Sequence, residues 1–184
     1  MLELTKVAGG SNPRNCRPTS GRIEVCNATY GQNGWLGLAQ IWASGSHITQ
    51  AVSKLNDTYF NTVKYNKPEW RQLVMCQEIA HDFGLDHQDE DFDNLNLGSC
   101  MDYTSFPKGN EHPNQHDFDQ LETIYGGHLD TSTTVGQTSR GAASQIDRNQ
   151  FGQLVRSTNG GRTELYSLDL GNRQKIFTFV IWAD

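Results

Sequence analysis

Apolar residues alternate with polar ones from Arg22 to Asn27, with Ile23 and Val25 on one face, as a half-buried strand requires. After a turn at Tyr30 to Gly34, the run Trp35 to Ala43 is nearly continuous in apolar residues, the pattern of a strand covered on both faces in the middle of a sheet. Ser44-Gly45-Ser46 breaks it. The next segment, His47 to Asn56, is more polar and is anchored by Ile48, Val52 and Leu55, which fits an edge strand better than a helical turn. Pro68-Glu69 then opens a helix expected over residues 68–83: proline's missing N–H is no loss in the first turn, and the acid suits the positive end of the dipole. Its apolar stripe is Trp70, Leu73, Val74 and Ala80, leaving Gln77 and His81 on another side that faces a cleft. A second helix is expected over 114–126, with Phe118, Leu121, Ile124 and Tyr125 at helical spacing and Gly126-Gly127 closing it. Ser, Thr, Gly and Gln dominate residues 131–146 without periodicity, as in a linker. Strand-like alternation returns around the turns Asn159-Gly160-Gly161 and Gly171-Asn172 and ends in Lys175 to Trp182. The pattern predicts an α+β protein: a domain over 1–130, the linker 131–146, and a small antiparallel β appendage over 147–184.

Composition narrows the class without naming a function. The 184 residues suffice for one domain with a proper core and a modest addition. A hydrophobic content of 35%, 20% charged residues and 18 glycines describe a soluble, loop-rich globular chain. The net charge of −6 and the lack of a basic patch argue against nucleic acid as a partner, and no apolar run approaches the length of a membrane span. Acidity is concentrated between Glu78 and Asp93, a stretch with no Lys or Arg. That stretch is either a solvated acidic loop, a Ca2+ site, or a surface favouring cationic substrate segments. Four cysteines allow three pairings. The sequential one, Cys16–Cys26 and Cys76–Cys100, is favoured, because the first pair brackets a short Pro/Gly turn and the second ties the 68–83 helix to the segment at 99–103. Two bridges imply an oxidising, extracellular compartment.

The sharpest chemistry lies in Met75 to His87, where Gln77, Glu78, His81, Gly84 and His87 stand at the spacing of a zinc-peptidase helix with glutamine in the first ligand position. Residues 77 and 81 are one helical turn apart and project together, so both can reach one ion. Glu78, one step round the helix, can reach a water on that ion, where a general base is needed. Gly84 lets the backbone turn through a left-handed residue, so that His87 approaches from another direction. Three protein ligands leave a position for water. An amide oxygen is a weaker zinc ligand than imidazole, so the Gln77 site should hold metal less tightly while leaving it a stronger Lewis acid. The other histidines, His47, His112, His116 and His128, read as surface or capping residues.

These residues resemble the metzincin clan of zinc endopeptidases, in a matrixin-like form. The resemblance is carried by Phe83-Gly84-Leu85-Asp86-His87, by Ser99-Cys100-Met101-Asp102-Tyr103, which looks like a Met-turn, and by the closing helix Asp117 to Gly126. It spans residues 22–128. It implies a zincin catalytic domain with a twisted mixed sheet, an active-site helix and a C-terminal helix, in which the polar strand at 47–56 lies antiparallel above a bound peptide. It also implies Zn2+ as catalytic cofactor, with Gln77, His81 and His87 as ligands, Glu78 as general base, Met101 as an apolar floor, and Tyr103 as an extra ligand or oxyanion stabiliser. The function expected is a secreted, monomeric metalloendopeptidase acting on protein or peptide substrates. The alternative is a catalytically inactive relative that binds proteins or peptides, and a third possibility is a metal that is structural only.

Overall fold

The computed structural model describes residue 2, residues 4–127 and residues 150–183. The expected linker at 131–146 and His128 lie outside the described residues. Six strands, β1 (Ile23–Ala28), β2 (Trp35–Ser44), β3 (His47–Asn56), β4 (Gln153–Thr158), β5 (Thr163–Gly171) and β6 (Gln174–Trp182), form one mixed sheet in the order β1-β3-β2-β6-β5-β4. β1 and β3 are parallel, and every other pairing is antiparallel. Among the described residues three α-helices accompany the sheet: α1 (Asp57–Phe60), α2 (Pro68–Asp82) and α3 (Gln115–Tyr125). The α+β class read from the pattern therefore holds.

β2 is central, as its apolar run predicts, and its residues from Trp35 to Ile41 are all buried. β3 is a strand over the expected residues, but it is not an edge: it lies between β1 and β2. Its two fully buried polar residues, Ser53 and Asn56, each find a partner there. Ser53 Oγ donates to Asp82 Oδ2 at 2.5 Å, and the Asn56 amide donates to the carbonyls of Gly31 and Trp35 and to Asn33 Oδ1. Polar side chains of this kind read as solvent-facing in sequence, while hydrogen bonding makes them tolerable in the core.

The last three strands are not a separate layer. β6 runs along β2 from Trp35↔Trp182 to Ser44↔Gln174, so that the hairpin β5–β6 and then β4 continue the same sheet. Asn172 and Arg173 join β5 to β6 with φ of 52° and 61°, the left-handed pair that suits a two-residue hairpin turn.

α2 starts at Pro68 and packs on the face of β2 and β3, placing Leu73, Val74 and Ala80 among Leu36, Leu55, Phe60 and Met101. The opposite face of the sheet carries Trp35, Leu38 and Val180, covered by Phe151. Both disulfides, Cys16–Cys26 and Cys76–Cys100, join the pairs expected. No helix of the described residues is long and apolar enough to cross a membrane.

Candidate metal centre

Helix α2 ends at Asp82, and the chain leaves it through Gly84 at φ 86°, with the Gly84 N–H donating to the His81 carbonyl and the Leu85 N–H to that of Ala80. This turn brings His87 back against the last turn of the helix. The Nε2 atoms of His81 and His87 are 3.0 Å apart, with the rings nearly perpendicular at 84°.

His81 Nδ1 lies 2.8 Å from the Leu85 carbonyl, which can only accept, so Nδ1 carries the proton and Nε2 the lone pair. His87 Nδ1 is 2.9 Å from the Tyr103 hydroxyl, with carboxylate oxygens of Asp86 and Glu90 at 3.5 and 3.7 Å. When the Tyr103 hydroxyl donates to Nδ1, His87 Nε2–H donates to His81 Nε2; when Nδ1 carries the proton, as the carboxylates favour, both Nε2 lone pairs turn inward. Two lone pairs this close repel unless a cation lies between them, a proton in the bare chain or a metal ion in the loaded one. Burial holds His81 well below the ordinary histidine range, and the neighbouring His87 adds to this against the Leu85 hydrogen bond. Burial lowers His87 as well, opposed by Glu90 and Asp86. Neutral imidazoles with converging lone pairs are the donor set that zinc takes.

Gln77 lies one turn before His81 on α2 and is 2% exposed, and its Nε2 has no hydrogen-bond partner among the described residues. Glu78 is fully buried, and neither of its oxygens has a partner either. Its carboxylate rests against β2 at Gly37, where an added Cβ would come within 2.4 Å of Glu78 Oε1 and of Val74 Cγ1. Burial, and then the negative charge of Asp82, raise Glu78 well above the usual carboxylate range. Asp82 is raised by burial too, despite the hydrogen bond from Ser53. A buried, basic carboxylate without a partner, carried on the helix that also carries His81, can accept and release a proton.

Met101 is fully buried in the core with Leu73, Val74 and Cys100, and the Cys76–Cys100 bridge fastens its loop to α2 next to Gln77. Tyr103 stacks on Phe92 at 4.9 Å and meets His87 through Nδ1, the ring nitrogen directed away from His81. The hydroxyl thus engages the outer edge of the His87 ring. Burial raises the Tyr103 phenol, keeping it protonated.

The acidic stretch divides into two parts. Asp86 and Glu90 are bound by Arg156 of β4, whose guanidinium grips both oxygens of Asp86 at 2.8 and 2.5 Å and reaches Glu90 at 3.2 Å. Desolvation pushes Asp86 up, but the hydrogen bonds from Arg156 and from the His87 backbone outweigh it and bring it down to about 2. Asp89 and Asp91 instead accept from the backbone of Asp91 and Asp93 at 2.7 and 2.9 Å, shaping their own loop. Asp86, His87 and Glu90 also lie within metal-binding distance of one another, although Arg156 already engages both carboxylates.

The final strands contribute groups that sequence spacing does not reveal. The Phe179 ring of β6 stacks on His81 at 4.0 Å and 10°, and Arg162 lies over Phe92 at 3.8 Å. A cavity of about 140 Å³, lined by Leu36, Tyr65, Trp70, Phe92, Arg162 and Trp182 among others, lies next to this aromatic group. Gly37, Arg156 and Phe179 carry no motif, and only an arginine facing a wholly acidic stretch hints at one of them. No protein-family model, curated protein or solved structure matches the chain.

Proposed function

We propose that this chain is a zinc-dependent endopeptidase of the metzincin kind, secreted and monomeric, acting on protein or peptide substrates. The observation that carries this reading is the pair of Nε2 atoms at 3.0 Å, each with its other nitrogen engaged, on a helix that also carries a buried carboxylate without a partner. His81 and His87 would hold zinc, with Gln77 completing the set through its amide oxygen. Bound there, zinc supplies Lewis acidity to a water molecule and to a peptide carbonyl.

The protein's own groups do the rest. Glu78, held basic by burial, takes the proton of the attacking water and returns it to the departing amine. Gly37 leaves room for that carboxylate. Asp86 and Glu90 favour the His87 tautomer that keeps Nε2 free. Met101 packs beneath the helix, and the Cys76–Cys100 bridge resists movement of its loop. The two disulfides are compatible with an extracellular location.

Metal analysis after zinc loading tests the site directly, one equivalent being expected. Cleavage of an unfolded protein should then be abolished by a chelator and restored by zinc. A metal-free protein under saturating zinc would overturn the reading.

One observation favours the non-catalytic alternative: Phe179 covers His81, and the ligand pair is buried. In that case zinc would bind and chelation would lower stability, with no turnover under any condition.

A further inference from the structure

β6 lies along β2 with Gly37↔Ile181, Ala39↔Phe179 and Ile41↔Phe177 as partners. Alternation puts Ile181 and Phe179 on the α2 side of the sheet, where Ile181 joins the core around Leu36 and Val74 and Phe179 stacks on His81. Thr178 and Val180 point to the other face, Thr178 accepting from the Gln40 side chain at 3.2 Å. Glu78 sits against Gly37, so the two pairs Gly37–Ile181 and Ala39–Phe179 span the groups that would do chemistry.

An extended peptide brought to His81 and Glu78 along β2 would use the same backbone donors and acceptors that β6 uses. With β6 in place His81 is 1% exposed and Glu78 wholly covered, so a peptide carbonyl has no approach along this strand. The same unit is fastened to the ligand loop at three further points: Arg156 on Asp86 and Glu90, the Asn159 amide on the Glu90 carbonyl, and Arg162 over Phe92. Each of these joins residues 153–182 to the loop that carries His87.

We propose that β6 occupies the peptide-binding edge of the site, so that the chain closes its own metal centre with a strand of its own, Phe179 lying where a substrate side chain would lie. This rests on the peptidase reading for its consequence, but the strand exchange itself does not need turnover. Opening trades one antiparallel ladder for another, so the hydrogen bonds lost to β6 are regained with the incoming peptide. The occupant it favours resembles β6: an extended segment alternating aromatic and β-branched residues, with an aromatic one over His81.

A lock across the two strands tests this. Gln40→Cys with Thr178→Cys places two thiols at partnered positions, and oxidation should fix β6 on β2. The probe is a fluorescent synthetic peptide with the sequence of residues 174–182, measured on the zinc-loaded full chain, alongside the rate of zinc capture by a coloured chelator. The reduced chain should bind the peptide and the locked chain at least about tenfold more weakly, with zinc capture slowed similarly; the unmodified chain, under the same reductant, should not change. Equal peptide binding by locked and reduced chains would overturn the proposal and make β6 a permanent member of the sheet. Lock-dependent peptide binding without any cleavage would uphold the strand exchange and sink the peptidase reading instead. Should the double variant not fold, Arg156→Ala carries the same test, since loosening the fastening should raise peptide binding several-fold, and no change would count against the proposal.

Discussion

The stretch from α2 to Tyr103 and the hairpin β5–β6 face each other across His81, and they were built on different principles. The first supplies every candidate ligand and the base within residues 77–87, and braces them with Tyr103 a short distance on. Its geometry is local: one helical turn, one left-handed glycine, one disulfide. The second holds no ligand, yet it decides whether the first can be reached, through Phe179 on His81 and a ladder along β2. Chemistry is encoded at short range here, and access to it at long range. The two can therefore be damaged separately.

The largest effect expected is on catalysis alone. Glu78→Gln keeps the size of the side chain and removes the base, so cleavage should fall by about 10²–10⁴-fold, while zinc content measured by elemental analysis stays at the unmodified level. Retained activity in a zinc-loaded Glu78→Gln chain would separate the helix from the chemistry assigned to it. Tyr103→Phe removes the hydroxyl on His87 Nδ1 and leaves the stack on Phe92, so zinc affinity by competition with a chelator should weaken by about 10-fold. An oxyanion role would instead lower kcat at unchanged affinity, and the two readouts distinguish them. Gly37→Ala tests how the first region is seated on β2: its methyl would meet Glu78 and Val74, at a cost of about 1–3 kcal/mol in chemical denaturation.

The smallest effect concerns a residue remote from both regions. Lys54 on β3 is lowered to about 8 by burial, from an ordinary 10.5. A lowered lysine means that between pH 8 and 10.5 the unfolded chain still binds a proton the folded chain has shed, so this group's contribution to stability rises with pH across that window. Below pH 8 both states are charged and the folded one bears the full penalty. Lys54→Met should thus stabilise the fold by roughly 1–2 kcal/mol at pH 7, with the gain in Tm shrinking toward pH 10.5. A gain independent of pH would point to packing rather than charge.

Much of the frame was legible in residue order. Periodicity places β2, α2 and α3 within a residue or two, because Trp35–Ala43, the stripe Trp70–Ala80 and the spacing of Phe118, Leu121, Ile124 and Tyr125 are local signals. β3 was legible as a strand but not as an internal one, since Ser53 and Asn56 look solvent-facing until Asp82 and the loop at 31–35 are known to receive them. Gln77, Glu78, His81 and His87 could be selected as candidates from spacing, because a helix fixes which side chains share a face. Tyr103 could be selected too, but not its partner: which nitrogen of which histidine it meets depends on how the 99–103 loop lies against α2.

The order of residues thus specifies the helix, the candidate ligands and candidate base it carries, and the glycine that returns His87, all of which follow from dihedral preference and helical geometry over a dozen residues. The tertiary structure alone places Gly37 under Glu78, ties Arg156 to Asp86 and lays Phe179 on His81. Those contacts join residues 41 to 98 positions apart, and no local preference specifies them. The last two exist because β2, apolar on both faces, had a free edge to pair and β6 was the strand that paired with it, and the first because α2 packs on β2.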